Sequence, residues 1–300
     1  MTISESLSLA IQKLNQYRIT SASLDAEILL SFALKKPKEF LYSHPDRQLT
    51  SGQLQKFNHL VIRRAACEPI AYLTGHKEFY GLDFFVDKNV LIPRPETELM
   101  VEEVLNHFRV TPRSLPVTLI DIGTGSGCVP IALAKNLYDA SGIKYYGLDI
   151  SKPAITIAKR NAKSHGISQK IKFLQSDLLK NIPNSLLIIH NSRIVVTANL
   201  PYLTPTQYRA NPDLKYEPQK ALVAGPDGLK YYRTLLPQIK DLSRRVASIT
   251  IFLEIDPSQT IAIKKVIHRY LPKAIISVEK DLSGHNRLVI IKLNYKQPKP

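Results

Sequence analysis

The sequence predicts an α/β protein in which a mostly parallel sheet is covered by helices and preceded by a small helical domain. Two observations support this prediction. From about residue 116, short apolar runs typical of strands alternate with helical patterns, as in sheets that carry helices on both faces. Residues 4 to about 65 instead place their apolar side chains at helical spacing.

The composition is that of a folded protein without a secretory signal or a membrane span. Of its 300 residues, 44% are hydrophobic, which is enough for a buried core. The first 16 residues lack the basic start, apolar stretch and cleavage site of a secretory signal. No window approaches the roughly 18 consecutive apolar residues of a membrane helix. We therefore expect a cytoplasmic protein that does not bind a membrane.

Cysteine and histidine usage argues against a metal site. The two cysteines, Cys67 and Cys128, form neither a disulfide framework nor a ligand cluster, and the eight histidines show no HExxH spacing. We therefore expect no protein-bound metal.

The net charge of +16 favours an acidic partner. Residues 1–75 carry 9 Lys/Arg and 6 Asp/Glu, which leaves 32 and 19 in residues 76–300. A positive field of this kind favours transient proximity to the ribosome or to RNA. General solubility is an equally good explanation, so charge alone does not choose a substrate.

The first 75 residues are expected to form a helical domain. A second helix is predicted over 21–34, with Ser21 as its cap, and a third over 51–64. Since these segments contain no catalytic constellation, we expect the domain to dock a substrate or to pack. The first helix is predicted from apolar residues at helical spacing, which are Leu7, Ala10, Ile11, Leu14 and Tyr17.

Residues 76–92 are expected to connect the two parts of the chain. Two short strands around Gly81-Leu82 predict a β-hairpin connector. Pro93 and Pro95 then interrupt the chain before a helix that begins near Glu96, where an acidic residue suits a helix N-terminus. The second folded domain is predicted to span residues 93–300.

Within this domain the predicted strands and helices alternate. In parallel sheets, ligands bind beyond the carboxyl ends of the strands, and the acidic and glycine residues of this chain fall at those ends. Helices are predicted over 129–137 and 153–164, with another between the last two strands. The predicted strands are 117–121, 145–149, 171–174, 194–198, 248–255 and 287–293.

The first of these strands leads into a glycine-rich turn, residues 121–127 (DIGTGSG). Glycines there permit a tight turn and a close approach of the backbone to a ligand. A dinucleotide-binding turn has the spacing GxGxxG, whereas Cys128 stands here at the position of the third glycine, which weakens that alternative without excluding it. The candidate cofactor residues of the turn are Asp121, Gly123, Thr124, Gly125 and Gly127.

Acidic residues also follow the next two strands. Asp149 can accept hydrogen bonds from both hydroxyls of a ribose, and Asp177 is suited to an adenine amino group. Asp121 would lie near the positive end of the ligand. Each acid alone could instead cap a helix or lie in a solvated loop. Together with the glycine turn, however, the series predicts S-adenosylmethionine as the cofactor.

The fourth strand leads into the tetrapeptide Asn199-Leu200-Pro201-Tyr202, which we predict to bind the substrate and to face the methyl group of the cofactor. Asn199 and Tyr202 are the candidate catalytic residues, and Asn199 is also a candidate cofactor contact. An amide nitrogen is a poor nucleophile, so acceptors that hold its N–H groups and orient its lone pair help more than a base. Asn199 offers its side-chain oxygen and Leu200 its backbone carbonyl. Tyr202 offers a flat face. The loop predicts methyl transfer to a planar nitrogen, although a plain turn is the structural alternative.

The chain resembles the release factor glutamine methyltransferases (the PrmC/HemK family). This resemblance implies a Rossmann-like, class I S-adenosylmethionine-dependent methyltransferase domain. It also implies that the substrate is the glutamine N5 in the GGQ loop of class I peptide chain release factors, and that the helical domain docks the release factor. The resemblance rests on segments 92–98 (IPRPETE), 121–127, 199–202, 216–229, 253–255 and 280–287.

Two positions depart from the family pattern. Leu200 stands where the family usually has proline, which keeps the backbone carbonyl but removes the fixed φ angle. Asp256 stands where glycine is common, and we expect it to lie away from the chemistry. Sequence leaves open whether Arg94 and Glu217 line the site or brace it.

Two other functions remain as alternatives. Asn-Leu-Pro-Tyr is similar to the loop of ribosomal RNA adenine dimethyltransferases, so adenine-N6 methylation of ribosomal RNA is the second hypothesis. Segments 94–98 and 216–229, with the helical domain, favour glutamine. A catalytically inactive methyltransferase fold that only binds a partner is the third, and the presence of every cofactor and loop residue argues against it.

Overall fold

The computed structural model describes residues 1–110, 115–137, 142–182 and 192–294. The chain forms two compact units, Met1–His76 and Lys77–Pro300. Among the described residues, no helix combines the length and the apolar character needed to cross a membrane.

The first unit is helical. Two of its helices begin with a capping box, in which a Thr side chain and the side chain of the third helical residue each bind the other's backbone N–H. The three predicted helices are confirmed to within about one residue at most ends. The two shortest helices were not predicted, because six and five residues are too few to show a helical period. The helices are α1 (Ile3–Gln16), α2 (Ala22–Leu34), α3 (Lys38–Ser43), α4 (Ser51–Ala65) and α5 (Ile70–Thr74).

The expected capping of α2 by Ser21 is wrong. Ser21 precedes the helix, but its side chain accepts no backbone hydrogen bond. Its hydroxyl instead donates to Asp25 Oδ2 at 2.8 Å, and Arg64 Nε donates to the same oxygen at 2.7 Å. The acidic residue of the first turn therefore competes for the hydroxyl, and the resulting ion pair ties α2 to α4.

The predicted β-hairpin is confirmed, and all of it except His76 belongs to the second unit. Strands β1 (His76–Phe79) and β2 (Leu82–Phe85) form a two-stranded sheet. They are joined by Tyr80 and Gly81, whose φ angles of +53° and +71° match the tight turns that connect neighbouring strands. Residues 86–92 contain no further strand.

The second unit contains a sheet of seven strands among the described residues, in the order β5-β4-β3-β6-β7-β9-β8. The first five of these are mutually parallel, and β9 runs antiparallel to β7 and to β8. Strand β8 was not predicted, because it is a half-exposed edge strand without a continuous apolar run. The strands are β3 (Val117–Ile122), β4 (Ile143–Asp149), β5 (Ile171–Gln175), β6 (Arg193–Ala198), β7 (Ser248–Glu254), β8 (Ile275–Lys280) and β9 (Asn286–Asn294).

Helices cover both faces of the sheet, as predicted. Successive side chains of a strand point to opposite faces, and on β3 Val117 and Leu119 join one apolar cluster while Ile120 and Ile122 join the other. The first cluster contains buried residues of α6, α7 and α8, and the second those of α10 and α11. The helices are α6 (Glu98–Val110), α7 (Cys128–Asn136), α8 (Lys152–Ser164), α9 (Pro205–Ala210), α10 (Lys230–Ser243) and α11 (Thr260–Tyr270).

The strand order contains a reversal that opens a crevice. From the central strand β3 the chain builds outward through β4 and β5, and then returns to the other side of β3 for β6 and β7. At such a switch point the connections after β3 and β6 diverge, which leaves a ligand crevice beyond their carboxyl ends. The glycine turn 121–127 and the loop 199–202 both lie at this edge of the sheet.

A buried asparagine joins the connector to the glycine turn. Asn161, on α8, is fully buried; its Oδ1 accepts from Phe85 N at 2.9 Å, and its Nδ2 donates to Phe85 O and to Ser126 O at 3.0 and 2.9 Å. Both N–H groups of this amide therefore donate, and its oxygen accepts one hydrogen bond.

We predict that Asn161→Ala lowers the free energy of unfolding by about 3 kcal/mol, because three hydrogen bonds are lost and the three backbone groups that made them lose their partner. Urea unfolding followed by circular dichroism measures this change. Asn106→Ala is the matched control, since Asn106 is an exposed helical asparagine. Equal losses in the two variants would contradict the role of Asn161.

Candidate active site

The first part of the site is a buried acid next to the glycine turn. Asp121 lies on β3 and is only 3% exposed. The parallel register places it opposite Thr197 on β6, whose hydroxyl donates to Asp121 Oδ1 at 2.8 Å. Burial raises the pKa of Asp121 to about 6, and the Thr197 hydrogen bond opposes this rise.

The glycine turn folds back onto the end of β4. The backbone N–H groups of Gly123 and Thr124 both donate to Leu148 O at 2.8 Å. Gly123 adopts a φ of +72°, and a Cβ at this position would lie 3.1 Å from Leu200 Cδ2. The positive φ angle favours glycine here, and a side chain would in addition crowd Leu200 of the 199–202 loop.

Asp149, at the end of β4, is tied to the same turn. Its Oδ2 accepts from Gly125 N at 2.9 Å, and its Oδ1 accepts from Ser151 N at 2.8 Å. Burial raises the pKa of Asp149, and these N–H groups counteract the effect. A carboxylate has about four acceptor sites, so each oxygen keeps one for a further donor.

Asp177 lies less deeply than the other two acids. It follows the end of β5 by two residues, and its side chain, 41% exposed, forms an ion pair with Lys180 at 2.5 Å. The preceding residue, Ser176, donates its N–H to Asp149 O at 2.8 Å. The structure therefore brings this segment to the end of β4, while its contact with a ligand remains a prediction.

The Asn199 side chain belongs to a hydrogen-bonded chain of polar groups. Its Nδ2 donates to Thr97 Oγ1 at 3.0 Å. The Thr97 hydroxyl donates to Glu254 Oε2 at 2.7 Å, and the Tyr202 hydroxyl donates to Glu254 Oε1 at 3.3 Å. Within the described part of the chain, no hydrogen bond is made to Asn199 Oδ1.

The remaining residues of the loop pack against the protein interior and are hydrogen-bonded to it. Leu200 is 3% exposed, with its side chain against the glycine turn. Gln259 Nε2 donates to Tyr202 O at 2.7 Å. Gly228, at φ +70°, lies so close that a Cβ there would be 2.0 Å from Tyr202 O. Segment 216–229 therefore packs against the 199–202 loop through Gly228.

Arg94 and Glu217 form an ion pair. The Glu217 carboxylate is 5% exposed and accepts hydrogen bonds from Ile92 N at 3.1 Å and from Arg94 Nη2. These bonds fix residues 92–94, which follow the hairpin, to Glu217, which follows the 199–202 loop. Asp256 accepts from Ser258 N and from Gln207 Nε2, and it makes no hydrogen bond to Asn199.

No local sequence pattern indicates a role for Thr97, Glu254 or Gln259. One signal was present: Glu254 ends the apolar strand run SITIFLE, and an acid in such a run needs hydrogen-bond partners when buried. Its partners could not be identified, because they lie in distant segments. No cluster of three or more His, Cys, Asp or Glu residues that could hold a metal ion occurs in the described ranges.

The chain matches two family models. Residues 5–75 match the PrmC N-terminal domain, and residues 116–226 match a methyltransferase domain. A release factor glutamine methyltransferase of Nitratidesulfovibrio vulgaris is 32% identical, over 96% of this chain and 94% of the relative. Another, of Moorella thermoacetica, is 35% identical, over 96% of this chain and 97% of the relative.

A solved structure shares the fold. The hMettl16 catalytic domain, determined in complex with MAT2A 3'UTR hairpin 6, matches 80% of this chain and 84% of its own with a TM-score of 0.54. At 17% identity this likeness shows the class I methyltransferase fold alone.

Proposed function

The chain belongs to the release factor glutamine methyltransferase family, and we propose that it transfers a methyl group from S-adenosylmethionine to the side-chain N5 of the glutamine in the GGQ loop of class I peptide chain release factors. The observation that carries this proposal is the Asn199 amide, whose Nδ2 is bound to Thr97 while its Oδ1 accepts no hydrogen bond from the described residues.

The crevice fits the proposed cofactor. Asp149 keeps one acceptor site on each oxygen for the two ribose hydroxyls. Gly123, Thr124, Gly125 and Gly127 would allow the methionyl part to approach the backbone, Asp121 would lie near its positive end, and Asp177 would accept from the adenine amino group. When bound, S-adenosylmethionine supplies a methyl carbon that the sulfonium has already activated.

The loop would hold the substrate amide for attack. Asn199 Oδ1 and the Leu200 carbonyl would each accept one N–H of the glutamine side chain, which orients the nitrogen lone pair toward the methyl carbon. Pro201 restricts the backbone angles of the residue before it, which would limit the orientations open to the Leu200 carbonyl. Tyr202 would lie against the amide plane. Burial raises the pKa of Tyr202, so its hydroxyl stays protonated and donates to Glu254.

The helical unit is the proposed docking site for the release factor, and the match of residues 5–75 to the PrmC N-terminal domain supports this role. The second candidate function, adenine-N6 methylation of ribosomal RNA, is favoured only by Leu200 in the loop and by the net charge of +16. A planar conjugated nitrogen poses the same chemical problem in both substrates.

Incubation with methyl-labelled S-adenosylmethionine and, separately, a release factor and ribosomal RNA tests the proposal. We expect label in the release factor, and we expect its loss when the GGQ glutamine is replaced by asparagine. Label in the RNA alone would overturn the proposal in favour of adenine methylation.

We predict that Asn199→Ala lowers kcat by about 100-fold or more, because a preorganised acceptor for the substrate N–H is lost. The Kd of S-adenosylmethionine should change less than about threefold, since a lost contact to substrate leaves the cofactor site intact. Single-turnover kinetics and calorimetry measure the two quantities. Asn136→Ala is the control, because the bond that Asn136 makes to the described residues lies within its own helix, to Ala132 O. Unchanged turnover in the Asn199 variant would rule out the acceptor role.

For Asp149→Ala we predict the opposite result, a larger effect on cofactor binding than on kcat. The Kd of S-adenosylmethionine should rise roughly 10- to 100-fold, because charged hydrogen bonds to the ribose are lost. Saturating cofactor should then restore most of the turnover. A Kd equal to that of the wild type would contradict the ribose assignment.

A further inference from the structure

Glu254 is a buried acid that the reaction as proposed does not use. It ends β7, its side chain is 1% exposed, and its two carboxylate oxygens accept from two different hydroxyls, those of Thr97 and Tyr202. Its backbone carbonyl accepts from the Tyr232 hydroxyl. Both hydroxyls on the carboxylate belong to residues that touch or form the candidate catalytic loop.

The direction of the protons in this chain follows from the chemistry of each group. An ionised carboxylate can only accept, so the single Thr97 proton must point to Glu254 Oε2. The Thr97 oxygen is then left with lone pairs on the side that faces Asn199. Only the NH2 end of the Asn199 amide can satisfy them, at the observed 3.0 Å.

We propose that Glu254 and Thr97 are positioning residues that fix which end of the Asn199 amide faces the substrate. The two ends have nearly the same shape but opposite hydrogen-bonding character, so packing alone distinguishes them poorly. With Nδ2 held by Thr97, Oδ1 is presented as the acceptor that a substrate N–H requires. This inference rests on the proposed function and deepens it.

The same carboxylate also orients the second loop residue. Tyr202 reaches Glu254 Oε1 through its hydroxyl, while its backbone carbonyl is held by Gln259. One buried anion therefore sets the amide of Asn199 and the ring position of Tyr202 together.

Protonation of Glu254 would undo the arrangement. A protonated carboxyl can donate to Thr97, which frees the Thr97 hydroxyl to donate to Asn199 and favours the reversed amide. Burial raises the pKa of Glu254 to about 7 against the opposing hydrogen bonds from Thr97 and Tyr202. The charged and titratable groups that face this carboxyl are Glu96, Tyr202, Tyr232 and Arg287.

The test compares three substitutions in the full chain, with the release factor as substrate. Thr97→Val keeps the side-chain shape but removes the hydroxyl, and we expect kcat to fall roughly 10- to 100-fold with little change in the KM for S-adenosylmethionine. Thr97→Ser keeps the hydroxyl and should restore kcat to within about threefold of the wild type. Thr250→Val is the matched control, because Thr250 is also a buried threonine, on β7, and makes no hydrogen bond to Asn199 or Glu254.

The pH profile gives a readout that a purely structural role would not change. In the wild type, kcat should rise with pH through about 7 as Glu254 ionises. In Glu254→Gln, kcat should be lower and should not follow this titration. Cofactor binding, measured by calorimetry, verifies that each variant is folded.

The outcomes separate the two proposals. A wild type that binds the cofactor but methylates no release factor overturns the proposed function and this inference together. A wild type that methylates the release factor, with a Thr97→Val variant at wild-type kcat, overturns the positioning role alone. The same holds if Thr97→Ser fails to restore turnover, or if Glu254→Gln keeps the wild-type pH profile.

Discussion

The parallel pairing of β3 with β4 on one side and β6 on the other determines the distances within the crevice. In this register, Asp121 lies opposite Gly147 on β4 and opposite Thr197 on β6. The three strands therefore end at one level, and the chain segments that follow them meet. Gly147 is part of this constraint, because a Cβ there would lie 2.5 Å from the Phe173 ring on β5.

The crevice concentrates buried negative charge, which is costly in a protein interior unless each charge is hydrogen-bonded. Each acid has its own donors: a hydroxyl for Asp121, two backbone N–H groups for Asp149, and two hydroxyls for Glu254. Burial still raises the pKa values of Asp121 and Glu254, to about 6 and about 7. A sulfonium cation in such a crevice would meet a field of the sign that stabilises it.

Local patterns predicted the strands of the crevice, because buried parallel strands are continuous apolar runs that end in glycine or polar residues. Strand β8 was missed because its residues are half-exposed. The hydrogen-bonded chain behind Asn199 could not be predicted at all. Thr97 is 102 residues from Asn199 and 157 from Glu254, so only the folded sheet brings them together. The candidate residues thus followed from local motifs, whereas their orientation depends on tertiary structure.

Leu200 stands where the family usually has proline, and the position of its side chain shows what this exchange changes. Its side chain points into the protein, against Gly123, and only its backbone carbonyl is proposed to meet the substrate. Exchanging proline for leucine at this position therefore alters the packing against the glycine turn, whereas a backbone carbonyl is present with either residue. Variation in size at this contact is therefore confined to position 200, because residue 123 is held to glycine by its φ of +72° and has no side chain to reduce.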